Sequence, residues 1–126
     1  PNNIFVAEFI GTPKMNILKI NKEKIKNNNI IKLFNNEIKF ENNKFNGDIY
    51  LGIRPEDISL KNTGEVKLDI KIDLVENLGF EKIIYASILN NEFRIKTTEE
   101  ISNKNVEISF DRNKIYLFDK DKNRIR

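Results

Sequence analysis

Between Val66 and Leu74 apolar and charged residues alternate without a break. Val66, Leu68, Ile70, Ile72 and Leu74 interleave with Lys67, Asp69, Lys71 and Asp73. A period of two puts one set on each face of a strand, so residues 65–75 predict a strand with one buried and one wet face. One-sided burial belongs to antiparallel sheets. The wet face alternates Lys with Asp, which avoids like charges in succession. Residues 83–89 are apolar on both faces and predict a central strand within 81–89. Shorter runs at 15–20, 30–34, 37–40, 48–53, 92–97, 104–110 and 114–118 complete a set of strands. Asn35–Asn36 and Asn90–Asn91 separate such runs, and Asn tolerates the positive φ of a tight hairpin. In that register Leu33 faces Ile38, Ile31 faces Phe40 and Lys32 faces Lys39. In the second hairpin Ile88 faces Phe93 and Ala86 faces Ile95.

Only the N-terminus carries a helical period. Phe5 with Phe9 and Val6 with Ile10 stand four apart, Asn2 or Asn3 can cap, and Gly11 followed by Pro13 is a stop signal, giving a short helix over 2–10. So short a helix needs a packing partner: its own β domain, a preceding domain for which it acts as a hinge, or both. Many short strands with turns every 8–12 residues predict an all-β barrel or sandwich. The Asn-rich stretch 21–46 keeps Ile and Phe at strand spacing and reads as loops and short strands.

Composition narrows the function classes. The 126 residues suit about one domain, and 39% hydrophobic residues suffice for a modest core. Ile, Asn and Lys dominate; all three have A/T-rich codons, so their excess reflects coding bias. The net charge is +3, but Lys alternates with Asp and Glu along the chain, a weak argument for a polyanion partner. With no Cys and no His, disulfides, the usual zinc sites, thiol nucleophiles and the commonest general base are excluded. No apolar run reaches the roughly 20 residues of a membrane-spanning helix, and no signal peptide is visible. The start at Pro1 without Met leads us to expect a piece of a longer protein.

Catalytic motifs are missing. There is no G-x-x-x-x-G-K-[ST], G-x-G-x-x-G or G-x-S-x-G. The acid pairs Glu56–Asp57, Glu99–Glu100 and Asp119 with Asp121 read as solvated turns, and 119–123 lacks the glycine and distal Glu of a calcium loop. Arg54–Pro55–Glu56 is more specific: Pro55 extends Arg54 and presets a turn. Two readings stay open there, a structural corner with an Arg54 salt bridge and a contact or ligand corner.

Four segments carry a resemblance. PNNIFVAEFIGTPKMN at the start resembles the P-x-N-x-F-V-A-x-F-I-G-x-P-x-M-N segment of maltose-type (MalK/UgpC-like) importer ATPases. LGIRPEDI at 51–58 is similar to that family's L-G-I-R-P-E motif. DLVENLGFEKIIY at 73–85 resembles its V-E-x-L-G-x-E-x-x-x-Y segment. IYLFD at 115–119 resembles its H-L-F-D ending, with Tyr116 where His usually stands. Order and spacing agree along the whole chain.

The resemblance implies an OB-like antiparallel β-barrel with a short N-terminal helix, the transport-associated (TOBE-like) regulatory domain. Residues 1–14 would be the hinge helix to an upstream ATPase domain and 15–126 the barrel. It further implies a regulatory and dimerisation role in a sugar or glycerol-phosphate importer, with no catalytic residue, no metal and no cofactor in this chain, ATP and Mg²⁺ being bound upstream. The implied partners are the chain's own ATPase domain, a second copy, membrane permease subunits and, in some members, a regulatory protein, but no nucleic acid. The implied location is cytoplasmic, peripheral on the inner face of the cell membrane. Matching positions give the contact candidates: Phe5, Phe9, Gly11, Pro13, Met15 and Asn16 in the hinge segment; Gly52, Arg54, Pro55 and Glu56 in the corner; Leu78 and Gly79 in the second turn; Phe118 as the closing aromatic. Two other readings of such a barrel are a sensor of small oxyanions or sugars and a binder of single-stranded nucleic acid.

Overall fold

Residues 2–4, 7 and 13–126 are described in the computed structural model. Eleven strands form within them: β1 (Asn16–Ile20), β2 (Ile25–Lys26), β3 (Ile30–Leu33), β4 (Asn36–Lys39), β5 (Ile49–Ile53), β6 (Val66–Asn77), β7 (Lys82–Ile88), β8 (Asn91–Thr97), β9 (Asn105–Phe110), β10 (Tyr116–Phe118) and β11 (Arg124–Ile125). They pair into three antiparallel sheets, ordered β1-β5-β10-β11, β2-β3-β4 and β8-β7-β6-β9. The fold is all-β and OB-like, as expected, but the three sheets do not join into a closed ring.

Inward side chains from all three sheets share one core, including Leu18, Ile31, Leu51, Ile84, Phe93, Ile95, Ile108 and Phe110. A smaller cluster of Ile4, Ala7, Met15 and Phe118 lies beside it. Ile4 and Ala7 are helical, and Ala7 N–H donates to the Asn3 carbonyl at 3.0 Å. Asn2 and Asn3 are not helical, Asn3 forming an isolated β-bridge with Asn123. The other residues of the expected helix over 2–10, Phe5 and Phe9 among them, lie outside the described residues, as does Gly11. Among the described residues, no helix is long and apolar enough to cross a membrane.

Two asparagine amides sew the separate sheets together. The Asn16 amide, on β1, accepts from Arg94 N–H at 2.7 Å and donates to Arg94 C=O at 2.8 Å, on β8. Asn36, on β4, accepts from Lys67 N–H at 3.0 Å and donates to Lys67 C=O at 2.8 Å, on β6. A primary amide presents the same acceptor and donor as a peptide unit, so each side chain stands in for one rung of the missing ladder.

Both hairpins turn one residue earlier than expected. Phe34–Asn35 and Leu89–Asn90 form the turns, with positive φ at Phe34 (54°), Leu89 (52°) and Asn90 (65°). Ile31 therefore faces Ile38, Lys32 faces Glu37 and Leu33 faces Asn36; Ala86 faces Phe93 and Ile84 faces Ile95. The shift replaces the Lys32–Lys39 opposition with an opposite-charge pair. It also frees Asn36 from the turn for its bonds to β6.

Strand β6 keeps the predicted alternation only to Ile72. Val66, Leu68, Ile70 and Ile72 are buried, whereas Leu74 is 62% exposed. The register slips between Ile72 and Leu74, where β6 passes from pairing with β9 to pairing with β7. One extra residue in a strand reverses which parity faces the core. Leu74 thus leaves the buried face, and Val75 packs partly inward instead.

The connection before β6 is locked onto β9. Ser59 and Ser109 exchange backbone hydrogen bonds of 2.8 and 3.0 Å, and Gly64 N–H donates to Ser109 Oγ at 2.9 Å. A Cβ on Gly64 would lie 2.8 Å from Phe110 N and 2.9 Å from its C and O. The obstacle is backbone, which cannot rotate away. Gly64→Ala is expected to cost about 1–3 kcal/mol, measured by urea unfolding; a midpoint equal to wild type would show that the loop yields freely.

Candidate functional site

Strand β5 runs straight into the corner. Arg54 is extended (φ −75°, ψ 141°), Pro55 opens a 3-10 turn over Pro55–Asp57, and Asp57 N–H donates to Arg54 C=O at 3.0 Å. Pro55 is buried and Glu56 exposed. The expected Arg54 salt bridge does not form: no carboxylate among the described residues lies within 4.0 Å. Its guanidinium instead sits 5.2 Å from the Tyr116 ring centroid, with Nε donating to Tyr116 Oη at 3.4 Å. Arg124 lies on the same ring at 4.6 Å. The quadrupole of the ring holds both cations where no acid does.

Three candidates converge behind this corner. Gly52 leaves no room for a side chain: a Cβ there would meet Met15 Sδ at 2.6 Å, Phe118 Cε2 at 3.1 Å and Ile17 Cδ1 at 3.3 Å. Met15 and Phe118 are themselves buried. The nearest obstacle is a flexible thioether, so Gly52→Ala should cost about 1–3 kcal/mol. Less should be lost in a Met15→Ala background, because the two sites share one space. Thermal melts of both single variants and the double variant read this directly; strict additivity would contradict the shared contact. Asn16 is consumed by the β1–β8 bridge, and Pro13 is half-buried.

Leu78 and Gly79 lie at the opposite extreme. They form the exposed turn between β6 and β7, closed by Leu78 N–H donating to Glu81 C=O at 2.9 Å. Gly79 has a positive φ, 87°, and open space around its Cβ position. Leu74, Leu78 and Phe80 are 62%, 54% and 84% exposed, so three large apolar side chains mark this end of the hairpin. Sequence reading missed Phe80, because nothing local distinguishes an outward Phe from a core one. On the same hairpin Tyr85 Oη donates to Glu76 at 3.4 Å, and its pKa is raised first by burial and then by the Glu76 charge.

Among the described residues, no group of three acidic, His or Cys side chains could hold a metal ion. A polar cleft beside the corner is organised by Glu99, whose carboxylate accepts from Leu60 N–H at 3.1 Å and from Thr97 Oγ1 at 3.3 Å. These bonds tie the loop after β5 to β8.

No family model matches the chain. Similar proteins exist among curated sequences. The chain is 37% identical to the maltose/maltodextrin import ATP-binding protein MalK of Aliivibrio fischeri, over 70% of this chain and 26% of that protein. It is 34% identical to the oligosaccharides import ATP-binding protein MsmX of Bacillus subtilis, over 96% of this chain and 37% of that protein. It is 27% identical to the sn-glycerol-3-phosphate import ATP-binding protein UgpC of Jannaschia sp., over 98% and 35%. The chain thus spans about a third of the length of the relatives it matches. Taken with the all-β OB-like architecture, these matches make the chain homologous to part of the MalK-like import ATP-binding subunits of ABC transporters, consistent with their C-terminal domain.

Proposed function

We propose that this chain is the regulatory and dimerisation domain of the ATP-binding subunit of a sugar or glycerol-phosphate importer, and that it hydrolyses nothing itself. The observation that carries this reading is the similarity of 70–98% of the chain to 26–37% of three import ATP-binding proteins, joined to the lack of any phosphate-binding loop in its sequence. ATP and Mg²⁺ then belong to an upstream domain. The partners are that domain, a second copy, the permease subunits and, in some settings, a regulatory protein. The place of work is the inner face of the cell membrane.

The exposed turn of Leu78, Gly79 and Phe80 offers a contact surface for the second copy, since apolar side chains gain most from being covered. A partner that favours one arrangement of the paired domains over another biases closure of the ATPase halves, typically by about 1–3 kcal/mol. Two measurements test the reading. ATP turnover by the isolated chain should stay at background, and clear turnover overturns the proposal. In the full-length subunit, Phe80→Asp should weaken self-association in sedimentation while leaving the melting temperature unchanged, because Phe80 is 84% exposed. Undiminished association would remove the turn from the interface.

A further inference from the structure

We infer that an open cavity between the end of β4, the 3-10 turn Arg112–Lys114 and β11 is a binding site for a phosphate-bearing small molecule. The cavity measures about 470 Å³ and is lined by Lys39, Arg112, Arg124 and Arg126, with Glu41 its one acid. Four cationic side chains against one acidic side chain concentrate at one place a net side-chain charge equal to that of the whole chain, +3.

Among the described residues, none of these cations forms an ion pair. The five ion pairs among the described residues use Lys19, Lys26, Lys82, Arg94 and Lys96. Arg124 Nε is buried without a hydrogen-bond partner, the only such side-chain atom among the described residues. Buried donors are almost always paired in folded proteins, so this one points to an acceptor supplied from outside.

The arginines are also fixed in place. Arg124 lies 4.6 Å from the Tyr116 ring centroid. Arg112 Nη1 donates to the Lys39 carbonyl at 2.9 Å. Arg126 Nη2 donates to Asn2 Oδ1. Held guanidinium groups lose little freedom on binding, and their planar forks match the oxygens of a phosphate. A phosphate monoester, with close to two negative charges at neutral pH, fits a net cationic lining better than a single carboxylate. The volume lies in the range of small-molecule pockets and leaves room for a sugar-sized group beyond the phosphate. The site is independent of the importer role and stands or falls separately.

Calorimetric titration of the 126-residue chain at low salt decides the matter, with three probes: inorganic phosphate, a hexose phosphate and the corresponding neutral hexose. Both phosphates should bind with dissociation constants below about 10 mM, and the neutral hexose should not. Tighter binding of the hexose phosphate identifies a phosphorylated sugar as the source; equal binding identifies free phosphate. Arg112→Gln and Arg124→Gln should each weaken binding about tenfold or more, as loss of a charge-assisted bond does. Arg112 is exposed, so its variant should melt with wild type and separates lost binding from lost folding. The proposal fails if neither phosphate binds, if the neutral hexose binds equally, or if Arg112→Gln retains full affinity. It fails equally if a single-stranded oligonucleotide binds through Arg112 more tightly than either phosphate.

Discussion

Replacing Asn16 by Leu should lower the unfolding free energy by about 2–4 kcal/mol. The side chain is 1% exposed and makes two short hydrogen bonds, one to each polar group of the Arg94 backbone. Both Arg94 groups are spent on Asn16, so they point away from β7 along the outer edge of β8. Leu has a similar branched shape, is bulkier, and offers neither donor nor acceptor. The N–H and C=O would remain buried without partners, at about 1–3 kcal/mol each. For a chain of this size that should appear as a fall in melting temperature of roughly 10 °C. Asn16→Asp gives a sharper test. Its protonated form can still accept from Arg94 N–H and donate to Arg94 C=O, whereas the carboxylate meets that carbonyl with like charge in a buried place. Burial raises the folded-state pKa above the unfolded value of about 3.9. The variant should therefore approach wild type at or below pH about 4 and fall behind as the pH rises through the folded pKa. A deficit that does not grow with pH would mean that Arg94 finds other partners.

Phe118→Ala should cost about 3–5 kcal/mol, the range for emptying a buried aromatic site. Phe118 is fully buried on β10 and is the largest member of the cluster with Ile4, Ala7 and Met15. Its ring also stands 3.1 Å from the position that a Cβ on Gly52 would take. Alanine would open a cavity between the main β structure and the N-terminal residues at once. Phe118→Leu retains most of the volume and should cost under about 1.5 kcal/mol. Urea unfolding of the three proteins separates the two effects. If alanine and leucine cost the same, the loss would come from ring contacts rather than from the cavity.

The apolar turn and the arginine cavity divide the surface by chemistry. One end of the β6–β7 hairpin exposes Leu74, Leu78 and Phe80 and suits contact with another protein surface. The cavity bounded by β4 and β11 gathers guanidinium groups and suits an anion. The corner of Arg54 and Pro55 lies close to the second, because Arg54 and Arg124 share the Tyr116 ring. Tyr116 occupies the position at which the family pattern has His, and in this chain its ring carries both arginines.

Much of the architecture follows from the sequence alone. A period of two states which face of a strand is buried, whatever lies across from it. The antiparallel all-β character and the buried set Val66, Leu68, Ile70 and Ile72 are therefore legible locally, and the turn at Pro55 follows from the proline itself. Register and cross-sheet bonding are decided by distant partners. Asn36 leaves its expected turn because the backbone of Lys67, 31 residues away, needs its amide. Asn16 is bound to Arg94, 78 residues away. The slip that turns Leu74 outward arises where β6 exchanges β9 for β7. Lys39, Arg112, Arg124 and Arg126 look like scattered members of a mixed-charge surface until the chain folds them around one cavity. Alternation along a strand carries no information about which strand will lie beside it, so these features belong to the tertiary structure.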